Sequence, residues 1–146
     1  MARSIIQEKT YAFASRMVKV YKYLTQEQRE FVLSKQALRS GTSIGANVEE
    51  ALVASSTADF VHKLTISAKE ARETSYWLRL LHDNGFLPDA AFASLHQENL
   101  EIIKIITSII LTAKNGKPPT QNSWLKTHNS HRPIQPPSTV RMVPCT

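Results

Sequence analysis

Enzymatic chemistry in a short chain needs a nucleophile held beside a base, converging metal ligands, or paired carboxylates in a cleft. This sequence offers the residue types but not the spacings. Cys145 stands near the end of a proline-rich stretch, a poor setting for a preorganised thiolate. His62, His82 and His96 show no Glu-x-x-His or His-x-x-x-His spacing, and His128 and His131, three apart, lack a second ligand pair. All five read as surface histidines, so no metal and no cofactor is expected. Glu49-Glu50, and Glu70 with Glu73, read as ion-pair partners on charged helix faces. Gly41-Thr42-Ser43-Ile44-Gly45 lacks the Lys-Ser/Thr that completes a phosphate loop. The expectation is a protein that is not an enzyme.

Charge placement is more informative. The 146 residues carry 18 Lys and Arg against 12 Asp and Glu, a net charge of +6. Residues 116–146 hold four basic groups, six of the seven prolines and no acid, and read as a flexible basic tail. Within residues 1–115, the first 39 carry eight basic groups against three acids, and the remainder six against nine. Arg16, Lys19 and Lys22 cluster opposite the apolar face of the first helical stretch, and Lys35 and Arg39 lie one turn apart on the second. Such a stripe suits phosphate contacts. The plainer reading is a solvated helix face.

Four helices position these residues. Ile6, Phe13, Met17, Val20 and Leu24 share one face of a helix from about Ser4 to Leu24. Thr25-Gln26-Glu27-Gln28 has the form of a capping box opening a second helix that runs to about Ala54. Phe31, Leu38, Gly41, Ile44, Gly45, Val48 and Leu52 would face inward there. Gly41 and Gly45 share one side, where a neighbouring helix can approach closely. The third helix, about Thr57 to Asp83, carries Phe60, Leu64, Ser67, Ala71, Thr74, Leu78 and Leu81 at unbroken four-three spacing. Asn84-Gly85 stops it, and Pro88 suits the first turn of a fourth helix. Phe92, Leu95, Asn99, Ile102, Ile106 and Ile109 line that helix until Gly116 ends it. The pattern is all-α: an up-down-up-down antiparallel four-helix bundle over residues 1–115, with a proline-rich C-terminal tail. No stretch reads as a signal peptide or membrane span, so the expected location is cytoplasmic.

A polar stripe of Arg39, Ser43, Asn47 and Glu50 runs along the second helix. If the second and third helices form a hairpin turning near residues 55–57, Arg39 lies opposite Glu73. Ser43 then faces Lys69-Glu70, and Glu50 faces His62-Lys63. The stripe reads as a set of cross-helix pairs that fix hairpin register. Tyr76 and Trp77, beside the core line of the third helix, are candidates for a subunit or partner surface.

These residues carry a resemblance. Gln36 through Ala51, with Arg39, Ser43-Ile44, Asn47-Val48 and Glu50, closely resembles the signature of the four-helix bundle family called the 23S rRNA intervening-sequence, or S23 ribosomal, protein family. Asp59-Phe60, Lys63-Leu64 and the run from Ala68 to Leu78 resemble its downstream pattern. Ala51 departs from it, since many members have Gly there, and the tail lies outside it. The resemblance implies a bacterial protein that forms a left-handed antiparallel bundle and assembles into a homopentamer. Some family genes sit inside intervening sequences of 23S rRNA genes, which suggests an RNA association. A similar relative, the accessory protein of diversity-generating retroelements, is a basic pentameric bundle that partners a reverse transcriptase. By that resemblance Arg39, Ser43, Asn47 and Glu50 are bundle or interface residues.

The expectation is a homo-oligomeric bundle that binds nucleic acid, RNA above all, through Arg16, Lys19, Lys22, Lys35 and Arg39. The alternative is a scaffold or accessory subunit for a nucleic-acid enzyme such as a reverse transcriptase. Arg39, Ser43, Asn47, Glu50, Glu70, Glu73, Tyr76 and Trp77 form the expected structural motif or interface.

Overall fold

The computed structural model describes residues 4–116, which fold into four helices: α1 Ile5–Gln26, α2 Leu33–Leu52, α3 Thr57–Asp83 and α4 Asp89–Lys114. Each helix packs on its neighbours in the chain, and α4 closes the ring against α1 more lightly than the other seams. Trp124-Leu125, a candidate docking point of the tail in sequence, together with Cys145, His128 and His131, lies outside the described residues. The core lines of α1, α3 and α4 are buried as the spacing predicts except for half-buried Val20 and Phe92, with Phe13, Met17, Leu24, Leu64, Leu78, Ile102 and Ile106 almost wholly enclosed. No helix among the described residues is long and apolar enough to cross a membrane.

The start of α2 differs from the sequence expectation. Helix α1 runs past Leu24 to Gln26, and the Thr25 hydroxyl donates back to the Tyr21 carbonyl at 2.9 Å instead of capping forwards. A threonine hydroxyl within reach of the carbonyl four residues back takes that nearer acceptor. Arg29 adopts a left-handed φ of 56° and turns the chain. Helix α2 then opens at Leu33 with no capping side chain of its own at Val32. Glu30 replaces it, its carboxylate accepting from the amides of Val32 (3.1 Å), Leu33 (2.9 Å) and Ser34 (2.7 Å). Phe31, expected inside, is 52% exposed in the turn as a result.

The two glycines of α2 mark where α1 crosses it. A Cβ at Gly41 would lie 2.6 Å from Met17 Cγ, and one at Gly45 3.3 Å from the Thr10 carbonyl oxygen. The helix-propensity cost of each glycine, about 1 kcal/mol relative to alanine, is offset by that close approach. At the far ends, Ser56 caps α3 by accepting from the Asp59 amide, and Gly85 and Gly116 take positive φ just past α3 and α4. Pro88 sits one position earlier than expected, at the N-cap of α4.

Candidate nucleic-acid interface

The α2–α3 hairpin sets the level of every charged residue on it. Arg39 pairs with Glu70 at 3.2 Å and with Glu73, and Glu50 pairs with Lys63 at 2.7 Å. Glu73 also accepts from the Trp77 indole N–H at 2.9 Å. That bond first, and Arg39 second, holds its carboxyl below the usual carboxylate range. Ser43 and Asn47 do not reach across, contrary to the sequence reading. Their side chains donate into α2 itself, Ser43 to the Arg39 carbonyl (2.8 Å) and Asn47 to the Ser43 carbonyl (2.9 Å). Short polar side chains find the preceding turn before they find another helix. The buried cross-links come from residues closer to the core. Thr74 Oγ1 donates to Ser40 Oγ, and Ser67 Oγ donates to the Ile44 carbonyl, both at 2.8 Å.

The five basic candidates are not gathered on one face. Arg16 flanks the apolar stripe of α1 instead of opposing it; its guanidinium pairs with Glu98 and donates to Ser94 Oγ at 3.0 Å on α4. One seam position earlier, Lys9 pairs with Glu101 at 3.4 Å. The acids of α4 thus neutralise part of the basic first helix, which a tally along the chain does not reveal. The match between acids three apart on α4 and cations seven apart on α1 emerges only once the two helices are set side by side. Arg39 is likewise engaged by its two glutamates. Lys19, Lys22 and Lys35 remain, all exposed and without an ion pair among the described residues.

Two of these fall at one level of the bundle. The register that sets Gly41 against Met17 and Gly45 against Thr10 brings Lys22 and Lys35 level on adjacent helices. Arg29 lies in the turn beyond them, its guanidinium 5.6 Å from the Phe31 ring centre. Lys19 faces the other way, lining with Arg16, Val20, Tyr23, Leu87 and Leu95 a groove of about 310 Å³ between α1 and α4.

A second set of cations escaped the sequence reading. Lys69, Arg72 and Arg79 lie with Tyr76 on the outward side of α3, all exposed. The net acidity of residues 40–115 masks them, although their three-four-three spacing with Tyr76 was legible. His82 and His96 sit in the α3–α4 seam and turn, while His62 is exposed near the start of α3. His82 meets Asp89 at 2.7 Å and Asp83 at 3.1 Å, and stacks on Phe92, which stacks in turn on His96. His96 Nε2 lies 2.9 Å from Ser75 Oγ. Among the described residues no three His, Cys, Asp or Glu side chains are grouped to hold a metal ion.

The family model for the 23S rRNA-intervening sequence protein matches residues 3–108. The chain belongs to that family. A solved structure from Bacteroides thetaiotaomicron, described as a protein with unknown function from the S23 ribosomal protein family, is 50% identical, with a TM-score of 0.72. The match covers 73% of this chain and 98% of that one. No curated protein matches the chain. The 23S rRNA-intervening sequence family thus accounts for the signature on α2 and its partner residues on α3. The region matched stops short of the end of α4 and does not include the proline-rich residues 116–146.

Proposed function

We propose that this member of the family is a non-enzymatic bundle that binds nucleic acid, RNA first, by its phosphates, and does so as a homo-oligomer. The observation that carries this reading is the pairing pattern at the α1–α2 end. Arg16 and Arg39 are engaged by carboxylates, while Lys22 and Lys35 stand level, exposed and unmatched, with Lys19 and Arg29 at the same end. Unmatched cations retain their full attraction for phosphate and displace condensed counterions when they bind. Repetition of a small patch around a homo-oligomer, a pentamer by family resemblance, would turn weak contacts into avidity. Exposed Leu100 and Leu111 on α4 supply apolar surface for such contacts.

The direct test replaces Lys19, Lys22 and Lys35 with Glu and measures binding to a single-stranded RNA oligonucleotide at low ionic strength. Loss of binding with an unchanged helical spectrum is expected; retention at wild-type strength removes this site.

The α1–α4 groove favours a second reading, an accessory scaffold whose partner is a nucleic-acid enzyme such as a reverse transcriptase. A largely apolar groove carrying Arg16 and Lys19 suits a protruding partner side chain beside an acidic one. Such a scaffold keeps its function when Lys22 and Lys35 become Glu, and loses it when Leu87 and Leu95 are enlarged.

A further inference from the structure

The outward side of α3 has the ingredients of a binding surface, and they differ in kind from those of the α1–α2 end. Lys69, Arg72, Tyr76 and Arg79 follow at intervals of three, four and three, so they share one stripe of the helix. All four are exposed, and none of the three cations has an ion pair among the described residues. The neighbouring acids, Glu70 and Glu73, face α2 and are occupied by Arg39. Asp83, one turn past Arg79, is held against His82. From Lys69 to Arg79 the stripe extends for about 15 Å of helix.

Tyr76 is what distinguishes this stripe from a solvated charged face. Tyr76 is 48% exposed. The ring is nonetheless held. Trp77 packs edge-on against it with centroids 4.9 Å apart, and Trp77 is itself tied to Glu73 through its indole N–H. The Arg79 guanidinium lies 6.0 Å from the Tyr76 ring centre. A positioned aromatic ring flanked by unpaired cations is the arrangement that stacks an unpaired base while the cations follow its phosphates. In a duplex the bases are stacked on each other and offer no free face to such a ring.

We propose that the outward face of α3 is a binding track for single-stranded nucleic acid, with Tyr76 as the stacking platform and Lys69, Arg72 and Arg79 as phosphate contacts. This rests on the reading of the protein as a nucleic-acid binder and specifies the strandedness of its ligand. It also adds a second contact surface, distinct from Lys19, Lys22 and Lys35.

The test uses the full chain and fluorescence anisotropy with a single-stranded oligouridine of 20 nucleotides and an RNA duplex of the same length. Lys69→Gln/Arg72→Gln/Arg79→Gln keeps helix-forming residues in place and is expected to lower the salt-dependence slope for the single strand by roughly 2. Tyr76→Ala is expected to weaken single-strand binding on the order of 5- to 100-fold and to leave duplex binding within about twofold, while Tyr76→Phe retains wild-type binding. If the Gln variant binds like wild type while Lys19→Glu/Lys22→Glu/Lys35→Glu does not, the track is wrong and the broader reading stands. If wild type binds neither RNA, the broader reading fails and the track falls with it. A change in oligomeric mass in the Gln variant would make the stripe a subunit contact and overturn the proposal. So would a polyglutamate peptide that binds as tightly as the oligouridine.

Discussion

At the scale of single residues, two side chains tie the helix junctions and make opposite predictions with pH. Glu30 holds the start of α2 by accepting three amides. Burial works to raise its pKa, but the bonds from Leu33, Ser34 and Val32 outweigh it and leave the carboxyl below its ordinary value. Its contribution is therefore present above the ordinary carboxylate pKa and is lost as pH falls through the lower folded value. Glu30→Ala is expected to cost about 1–2 kcal/mol in urea denaturation at neutral pH, and less in acid. An equal cost at both pH values would contradict the capping role. His82 runs the other way. Its pKa is raised, by Asp89 first and Asp83 second. Its contribution is complete below the ordinary histidine pKa and lost as pH rises through the higher folded value. The melting temperature should decline as pH rises above the ordinary histidine pKa of about 6.5, and His82→Gln should flatten that decline. Neither role was legible in the sequence. Thr25-Gln26-Glu27-Gln28 matched a capping box, while Glu30 looked like any surface acid. Only the left-handed turn at Arg29 aims it at the amides.

At the scale of helices, the signature on α2 contains two kinds of residue with different energetic weight. The Arg39 pairs are exposed, and such pairs are worth roughly 0–1 kcal/mol. Gly41 is buried against Met17, where even a methyl group must displace Met17 Cγ from 2.6 Å. Overpacking of this sort costs about 1–3 kcal/mol, set against the roughly 1 kcal/mol that alanine recovers in helix propensity. Gly41→Ala is therefore expected to destabilise by up to about 2 kcal/mol, and Arg39→Ala by less. Chemical denaturation of the two variants decides it, and a larger loss at Arg39 would reverse this ranking. The core lines of α1, α3 and α4 were readable because periodicity alone determines which face is buried. The hairpin level of Arg39 with Glu73 and of Glu50 with Lys63 followed from loop length and a rise of 1.5 Å per residue. The start of α2 and the inward bonds of Ser43 and Asn47 were not readable. They depend on which of several acceptors lies nearest, and sequence spacing does not rank those.

At the scale of the molecule, the balance of charge matters less than how it is paired. Residues 1–39 are strongly basic in sequence, yet α4 answers Lys9 with Glu101 and Arg16 with Glu98. Helix α3 carries four acids and four Lys or Arg, yet Glu70 and Glu73 turn towards α2 while Lys69, Arg72 and Arg79 turn outward. The bundle thus presents unmatched positive groups at the α1–α2 end and along α3, with the basic tail in addition. Homo-oligomerisation would repeat these surfaces, and light scattering of the full chain should give a mass several times that of one subunit. A monomeric mass at micromolar concentration would remove the avidity argument. The most direct measurement of nucleic-acid binding is a titration of fluorescent single-stranded RNA with the full chain across a series of salt concentrations. Binding at low ionic strength whose logarithm falls linearly with the logarithm of salt, at a slope of about −2 or steeper, is the predicted result. No binding at low ionic strength, or binding indifferent to salt, would contradict it.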